Sequence, residues 1–234
     1  MEEGFFSGNF DDLKNHWENE QRAEKFKSGG TRIPAIRKVL KRMNVDIHQH
    51  SWLDTGTGAG FIQTQVDADV SPVLFVGVDF SSAMLRAQTD PFGNLVIATA
   101  FKLPFRKEAF SVLSNIFSLS DYPEPKEAFG EFSRILSKTG NLYFVDYAQG
   151  DEYWELRKKL HGKTGRDNKV IVGDINLRNI QQSKELLPNS LRVVFTEIIS
   201  YDINSDPLNS SFEIPDHITR KILFIQAYKP RSTN

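Results

Sequence analysis

Trp52-Leu53-Asp54-Thr55-Gly56-Thr57-Gly58-Ala59-Gly60, running on into Phe61-Ile62, decides how this chain is read. A short apolar run ends in an acid, breaks into alternate glycines, and resumes with residues compatible with a helix. A buried strand that turns sharply into a helix has this form. Glycine serves such a turn twice: it reaches positive φ without penalty, and its missing side chain lets a ligand lie against the main chain. The following helix offers free N–H groups and a positive dipole end to an anionic group.

Asp54 narrows the ligand. A carboxylate at the strand end repels a pyrophosphate, and no Lys-Ser/Thr pair follows the glycines as a P-loop requires. The spacing is G-x-G-x-G, one residue short of the dinucleotide fingerprint. A zwitterionic amino-acid tail suits the turn better, its ammonium near Asp54 and its carboxylate near the helix N-terminus. A second acid adds to this. Leu74-Phe75-Val76-Gly77-Val78-Asp79 is a continuous apolar strand ending in a carboxylate about 20 residues beyond the last glycine, where a βαβ unit sets an acid to grip a ribose diol. Asp79 could instead cap the helix that starts there, but Ser81 or Ser82 can do that. The pair favours a nucleoside ligand.

Leu53-Asp54-Thr55-Gly56-Thr57-Gly58-Ala59-Gly60, Gly77-Val78-Asp79-Phe80-Ser81-Ser82-Ala83-Met84-Leu85 and Leu103-Pro104-Phe105 together resemble successive motifs of class I S-adenosylmethionine-dependent methyltransferases, nearest the branch that includes the quinone-biosynthesis C-methylases. The resemblance covers roughly Trp52 to Tyr147. It implies a Rossmann-like α/β fold: a seven-stranded, mostly parallel sheet closed by a C-terminal antiparallel hairpin, with helices on both faces. It implies S-adenosyl-L-methionine as cofactor, held by Asp54, Thr55, Gly56, Gly58, Asp79, Phe80, Thr99, Ala100, Phe101 and Asn115. In the family an Asp commonly accepts from the adenine amine where Thr99 stands here. Adenine recognition is therefore expected to lean on the backbone, Phe80 and Phe101. The family often has Asp where this chain has Ser111.

The bulk numbers agree with one domain. At 234 residues the chain can bury a full core, with a cap appended. A net charge of −1 provides no global field for nucleic acid or an anionic membrane. With no cysteine there is no disulfide, thiolate zinc site or cysteine nucleophile. No apolar run reaches membrane-spanning length, and Met1-Glu2-Glu3 lacks a signal peptide's basic and apolar regions, so a soluble cytoplasmic protein is expected.

Residues 10–27 read as one helix carrying Phe10, Leu13 and Trp17 on a stripe, and Ile33, Ile36, Leu40 and Met43 mark a second. Residues 1–45 are thus expected to form a helical cap over the ligand end of the sheet, with His16 and Trp17 facing a substrate. Asp46-Ile47-His48-Gln49-His50 has the spacing of a metal-binding strand, but the glycine turn after it fits no such barrel, and no metal is expected. The cofactor-binding core runs over 46–150. Beyond Trp52 strands and helices alternate, as a parallel sheet covered on both faces requires. Gly140 is expected as the left-handed residue ending a helix near Leu136. The stretch 151–190 is too long for a simple connection and is expected to be a lid; 191–230 supplies the closing strands.

On the cofactor such a fold binds, the methyl group is already activated, so the protein supplies position and electrostatics. Candidate bases by location are His16, Asp121, Tyr122, Asp146 and Tyr147, and none is assigned a catalytic role. His16, Trp17, Tyr122 and Tyr147 are the candidate substrate-side residues. A small-molecule methyl acceptor is expected. The competing readings are an RNA or protein methyltransferase, a non-catalytic S-adenosylmethionine-binding protein, and a nicotinamide-dependent oxidoreductase. Near-zero charge and the missing G-x-G-x-x-G spacing weigh against nucleic acid and nicotinamide respectively.

Overall fold

The computed structural model describes residues 10–27, 32–43, 50–65, 74–88, 94–122, 124–156, 177–203 and 217–231. Three helices come first: α1 (Phe10–Trp17), α2 (Glu20–Phe26) and α3 (Arg32–Met43). The core then runs β1 (Ser51–Thr55), α4 (Phe61–Gln65), β2 (Leu74–Asp79), α5 (Ser82–Arg86), β3 (Asn94–Ile97), β4 (Phe110–Ile116), α6 (Pro125–Ile135) and β5 (Leu136–Tyr147). A short α7 (Ile180–Lys184) precedes β6 (Arg192–Ile203) and β7 (Ile218–Tyr228).

The seven strands form one sheet in the order β3-β2-β1-β4-β5-β7-β6. β1 to β5 are parallel, while β7 runs antiparallel to both β5 and β6. This is the expected mostly parallel sheet closed by an antiparallel hairpin. β1 lies between β2 and β4, so the strand order reverses there, which is where open α/β sheets open a crevice at their carboxyl ends. The glycine turn leaves β1 at that point.

Period-two alternation divides the apolar residues between two faces. Trp52, Phe75, Val112 and Tyr143 pack on one face with Ala35, Ile36, Val39 and Met43 of α3. Leu53, Val76, Leu113 and Phe144 pack on the other with Ala128, Phe129, Phe132 and Ile135 of α6. Arg220 and Asp151 form a buried ion pair with Nε–Oδ2 2.9 Å, and the guanidinium lies over the rings of Tyr147 and Tyr153.

Several local expectations need correction. The helix over 10–27 is two helices. Asn19 caps α2 by accepting from Arg22 N–H at 2.9 Å, and Glu18 is turned away into a tertiary contact. Gly140 is not the left-handed residue: Thr139 takes φ 66°, and Gly140 is small because a Cβ there would lie 2.9 Å from Ser137 O and Leu136 Cδ1. β5 begins at Leu136, directly after α6. In the expected lid, residues 152–156 are helical and α7 is a short helix with a capping box from Asn179 to Gln182. Residues 157–176, with the basic positions Arg157, Lys158, Lys159, Lys163 and Arg166, lie outside the described residues, as do Asp46 and His48. His50 is described, its Nδ1 3.1 Å from Ser111 Oγ. Among the described residues no helix is long and apolar enough to cross a membrane, and no three His, Cys, Asp or Glu side chains gather as a metal site.

Candidate active site

The glycine turn is held by β2. Gly56 and Thr57 N–H both donate to Val78 O, at 2.8 and 3.0 Å, so the main chain folds back over the strand tips. Gly56 needs to be glycine for a packing reason as well as for its φ of +69°: a Cβ there would lie 2.5 Å from Ser118 Cβ and Oγ. Gly58, at φ +52°, is different. A Cβ on it would have only Met84 Cε within 4 Å, at 3.6 Å, so its open side faces free space.

Asp54 and Asp79 stand on neighbouring strands, with Asp54 paired to Gly77 two residues before Asp79. Both are buried, 3% and 8% exposed, and both line a cavity of about 190 Å³ with Gly56 and Gly58. Asp54 accepts from Ser114 Oγ at 2.6 Å, and Ser114 in turn accepts from the Trp52 indole N–H at 2.8 Å. Among the described residues no Lys, Arg or His forms an ion pair with Asp54. Burial pushes its carboxyl up to about 7, opposed by the Ser114 and Thr57 hydrogen bonds and helped by the charge on Asp79. A buried carboxylate that lines a cavity without a cation of its own is suited to receive one.

Asp79 accepts from Gly58 N–H at 2.8 Å and from Ser81 N–H at 2.9 Å, with the Phe80 backbone N–H adding to these. An ionised carboxylate has about four lone-pair sites, so it can still accept from a ligand hydroxyl. Burial pushes Asp79 up to about 6, against the backbone bonds of Ser81 and Gly58, with Glu18 adding to the rise. The helix cap is Ser81, whose Oγ accepts from Met84 N–H at 3.0 Å. Asp79 is thus not needed as the cap of α5.

Phe80, Thr99, Ala100 and Phe101 line the same cavity, with Phe101 edge-on to Tyr122 at 5.6 Å. Thr55 lines it too. Asn115 does not. It is fully buried one layer beneath, where its Nδ2 lies within 3.1 Å of Thr55 O, Thr55 Oγ1, Ser118 Oγ and Tyr122 Oη. The strand register sets this, because Asn115 faces Thr55 across β4 and β1 instead of projecting past the strand tip. It braces the turn.

The substrate-side candidates His16, Trp17, Tyr122 and Tyr147 all line the cavity. Tyr147 stacks on Phe117 at 4.9 Å and 24°, with Trp154 edge-on at 5.3 Å. Phe117 holds that position at φ 58°, an uncommon backbone for a bulky residue and a conformation associated with functional sites. Burial, with the Arg22 charge, lowers the His16 imidazole to about 4, so it is neutral near pH 7. Among the candidate bases, Asp146 is buried at the end of β5 and does not line the cavity, and the Asp121 side chain lies outside those described.

The sequence reading missed Arg22, Arg32, Phe117, Ser118 and Trp154, all of which line the cavity. It also missed Glu18. That carboxylate accepts from Ser81 Oγ, Ser82 N–H and Ala83 N–H at 3.0–3.2 Å, tying the α1–α2 junction to the N-terminus of α5. An acid one residue past an aromatic stripe gives no signal of so remote a partner.

Residues 53–144 match the family described as a methyltransferase domain. The match covers less than half of the chain and falls on the part that carries the glycine turn and both strand-tip carboxylates. Relatives of the methyltransferase domain include a demethylmenaquinone methyltransferase of Roseiflexus sp. (strain RS-1), 36% identical over 87 residues, covering 36% of this chain and 37% of that protein. The ubiquinone/menaquinone biosynthesis C-methyltransferase UbiE of Campylobacter jejuni (strain RM1221) is 30% identical over 145 residues, covering 60% of this chain and 59% of its own length. The chain therefore matches only part of the length of these relatives. An S-adenosylmethionine-dependent methyltransferase of Methanosarcina mazei has the same fold, with TM-score 0.58 at 15% identity over 82% of this chain and 97% of that one.

Proposed function

We propose that this protein is an S-adenosylmethionine-dependent methyltransferase acting on a small molecule. One observation carries the reading: two buried carboxylates at adjacent strand tips, Asp54 and Asp79, flank a glycine turn that opens on a single cavity. Asp54 would hold the cofactor's ammonium and Asp79 its ribose hydroxyls. Phe80, Thr99, Ala100 and Phe101 would enclose the adenine, with Thr55, Gly56 and Gly58 giving the main-chain floor. When bound, the cofactor supplies a methyl group already activated on a sulfonium.

The protein's own part is alignment and exclusion of water. Residues of α1, α2 and α3 cover the cavity, with Leu13, His16, Trp17 and Ile36 among its lining, which supports the reading of 1–45 as a cap and of the acceptor as a small molecule. An enclosed apolar wall of Phe117, Tyr147 and Trp154 suits a small acceptor better than a polymer. The similarity to quinone-biosynthesis enzymes is a further support for that class. Calorimetric titration with S-adenosylmethionine and, separately, with NAD tests the reading. One-to-one binding of S-adenosylmethionine alone is expected; binding of NAD alone, or of neither, would overturn it.

A further inference from the structure

Asp54 is backed by two side chains that the glycine motif does not contain. Ser114 lies directly across from it on β4, and Trp52 precedes it by two residues on β1, so the three side chains share one face of the sheet. All three are buried. The Trp52 indole N–H donates to Ser114 Oγ at 2.8 Å, and Ser114 Oγ donates to Asp54 Oδ1 at 2.6 Å. An indole can only donate, so the first bond has one possible direction. The serine oxygen is engaged as an acceptor, and its proton goes to the carboxylate. A proton on Asp54 Oδ1 would meet that serine proton head-on, so the chain favours the ionised acid, and each bond in such a chain strengthens the next.

A second hydroxyl repeats the pattern. The Gln63 side-chain amide donates from Nε2 to Thr57 Oγ1 at 3.1 Å, and the Thr57 hydroxyl bonds to Asp54. Both hydroxyls oppose the burial that pushes the Asp54 carboxyl up to about 7. A buried indole N–H needs an acceptor of some kind. Two hydroxyls, each backed by a nitrogen that can only donate and each turned on the same carboxylate, go further than that need: they serve the charge on Asp54.

Resting on the methyltransferase reading above, we propose that Trp52 and Ser114 are positioning residues for the cofactor's ammonium: the indole fixes the serine hydroxyl, and the hydroxyl holds Asp54 charged and oriented to receive it. Neither lines the cavity, so each acts through Asp54. Among the described residues the other charged or titratable side chains facing the cavity with Asp54 are Asp79 of β2, His16 of α1, Arg22 of α2, Arg32 of α3, Tyr122 after β4 and Tyr147 of β5. They are the same in every variant below, so their influence cancels when variants are compared.

Calorimetric titration of S-adenosylhomocysteine into the whole protein and into its Ser114→Ala variant, at pH 6, 7 and 9, tests this. Losing a hydrogen bond to a charged group should raise the pH at which free Asp54 ionises by about one pH unit. The variant should then bind about tenfold more weakly at pH 6 but within about twofold at pH 9, where Asp54 is ionised in both proteins. Loss of the ligand's own amine proton at pH 9 affects both alike. Trp52→Phe, which keeps a buried ring and removes the N–H, should move the profile the same way by a smaller amount, and it carries the test if Ser114→Ala does not fold. The proposal is overturned if the loss is equal at pH 6 and pH 9, as a role in packing alone would give, or if neither variant weakens binding at pH 6. If S-adenosylhomocysteine binds the unaltered protein at no pH, the methyltransferase reading fails, and carbon-13 NMR of the Asp54 carboxyl in the ligand-free protein still decides the relay. A titration midpoint higher in Ser114→Ala than in the unaltered protein supports it, and equal midpoints overturn it.

Discussion

Lowering the pH from 8 to 6 should weaken cofactor binding about tenfold, and Asp54 should be the reason. Burial holds the free carboxyl at about 7. If the cofactor's ammonium sits on it, the bound state favours the ionised form and the pKa falls back toward the ordinary carboxylate range. A group with a higher pKa in the free state than in the bound one must lose its proton for the ligand to bind. Ionised Asp54 makes up about nine-tenths of the free protein at pH 8, about half at pH 7 and about one-tenth at pH 6. Affinity should therefore fall modestly between pH 8 and 7 and steeply below. Asp79, held up to about 6, should steepen the curve further at the acid end. The assay is calorimetry with S-adenosylhomocysteine, which has the same amino-acid tail, at three pH values and in two buffers of different ionisation enthalpy. The difference between buffers counts the protons released. Asp54→Asn should bind weakly at pH 8 and show little further change down to pH 6. A flat profile in the unaltered protein, or the same slope in Asp54→Asn, would refute the assignment of the ammonium to Asp54.

The ligand-free fold should show the reverse trend. Asp54, Asp79 and Asp146 all titrate higher folded than at the ordinary value of 3.8, so the folded chain holds more protons than the unfolded one between about pH 4 and 7. Stability from this source is present at the acid end and lost as pH rises, so the melting temperature should be lower at pH 8 than at pH 6; an increase would contradict the burial argument. Asp79→Asn should weaken S-adenosylhomocysteine by about 1–3 kcal/mol without a large change in melting temperature, since Ser81 caps the helix; unchanged affinity would leave Asp79 with a purely structural role. Gly56→Ala should destabilise by about 1–3 kcal/mol, from its φ and the Ser118 clash, whereas Gly58→Ala should cost less because its neighbour is farther away; equal urea midpoints would count against this ranking. Asp151→Ala leaves Arg220 buried without its carboxylate and should cost about 3–5 kcal/mol in a urea titration; a loss under 1 kcal/mol would mean that water or another group compensates.

What could be read from the sequence was what is decided locally. A glycine turn between an apolar strand and a helix, and acids at two strand ends, are set by backbone sterics and by the polar stop of a buried run, so Asp54 and Asp79 could be placed before any coordinates. The parallel part of the sheet followed from the alternation of strands with helices, and its antiparallel closing hairpin from the family resemblance. Asn115 was misplaced because its role depends on the register of β4 against β1, which points its amide at Thr55 and not into the cavity. Thr139 took the left-handed position expected of Gly140 because Leu136 and Ser137 crowd the glycine instead. The arginines could not be found at all. On a helix of mixed charge Arg22 and Arg32 look like solvated side chains, and only the folding of α2 and α3 over the sheet turns them inward.

That folding also explains the acids. Strand-tip carboxylates in an open crevice would be solvated and would titrate near the usual carboxylate range; here burial raises both. α1, α2 and α3 help to enclose them, and Glu18 fastens the junction of α1 and α2 to the helix that follows Asp79. The cap and the carboxylates are therefore coupled. Whatever closes the cavity also raises the free energy of ionised Asp54 in the empty site, and an arriving ammonium relieves it. Cofactor affinity, on this argument, depends on how firmly α1 and α2 are seated as well as on the glycine turn, although no residue of α1 or α2 belongs to the motifs by which the domain is recognised.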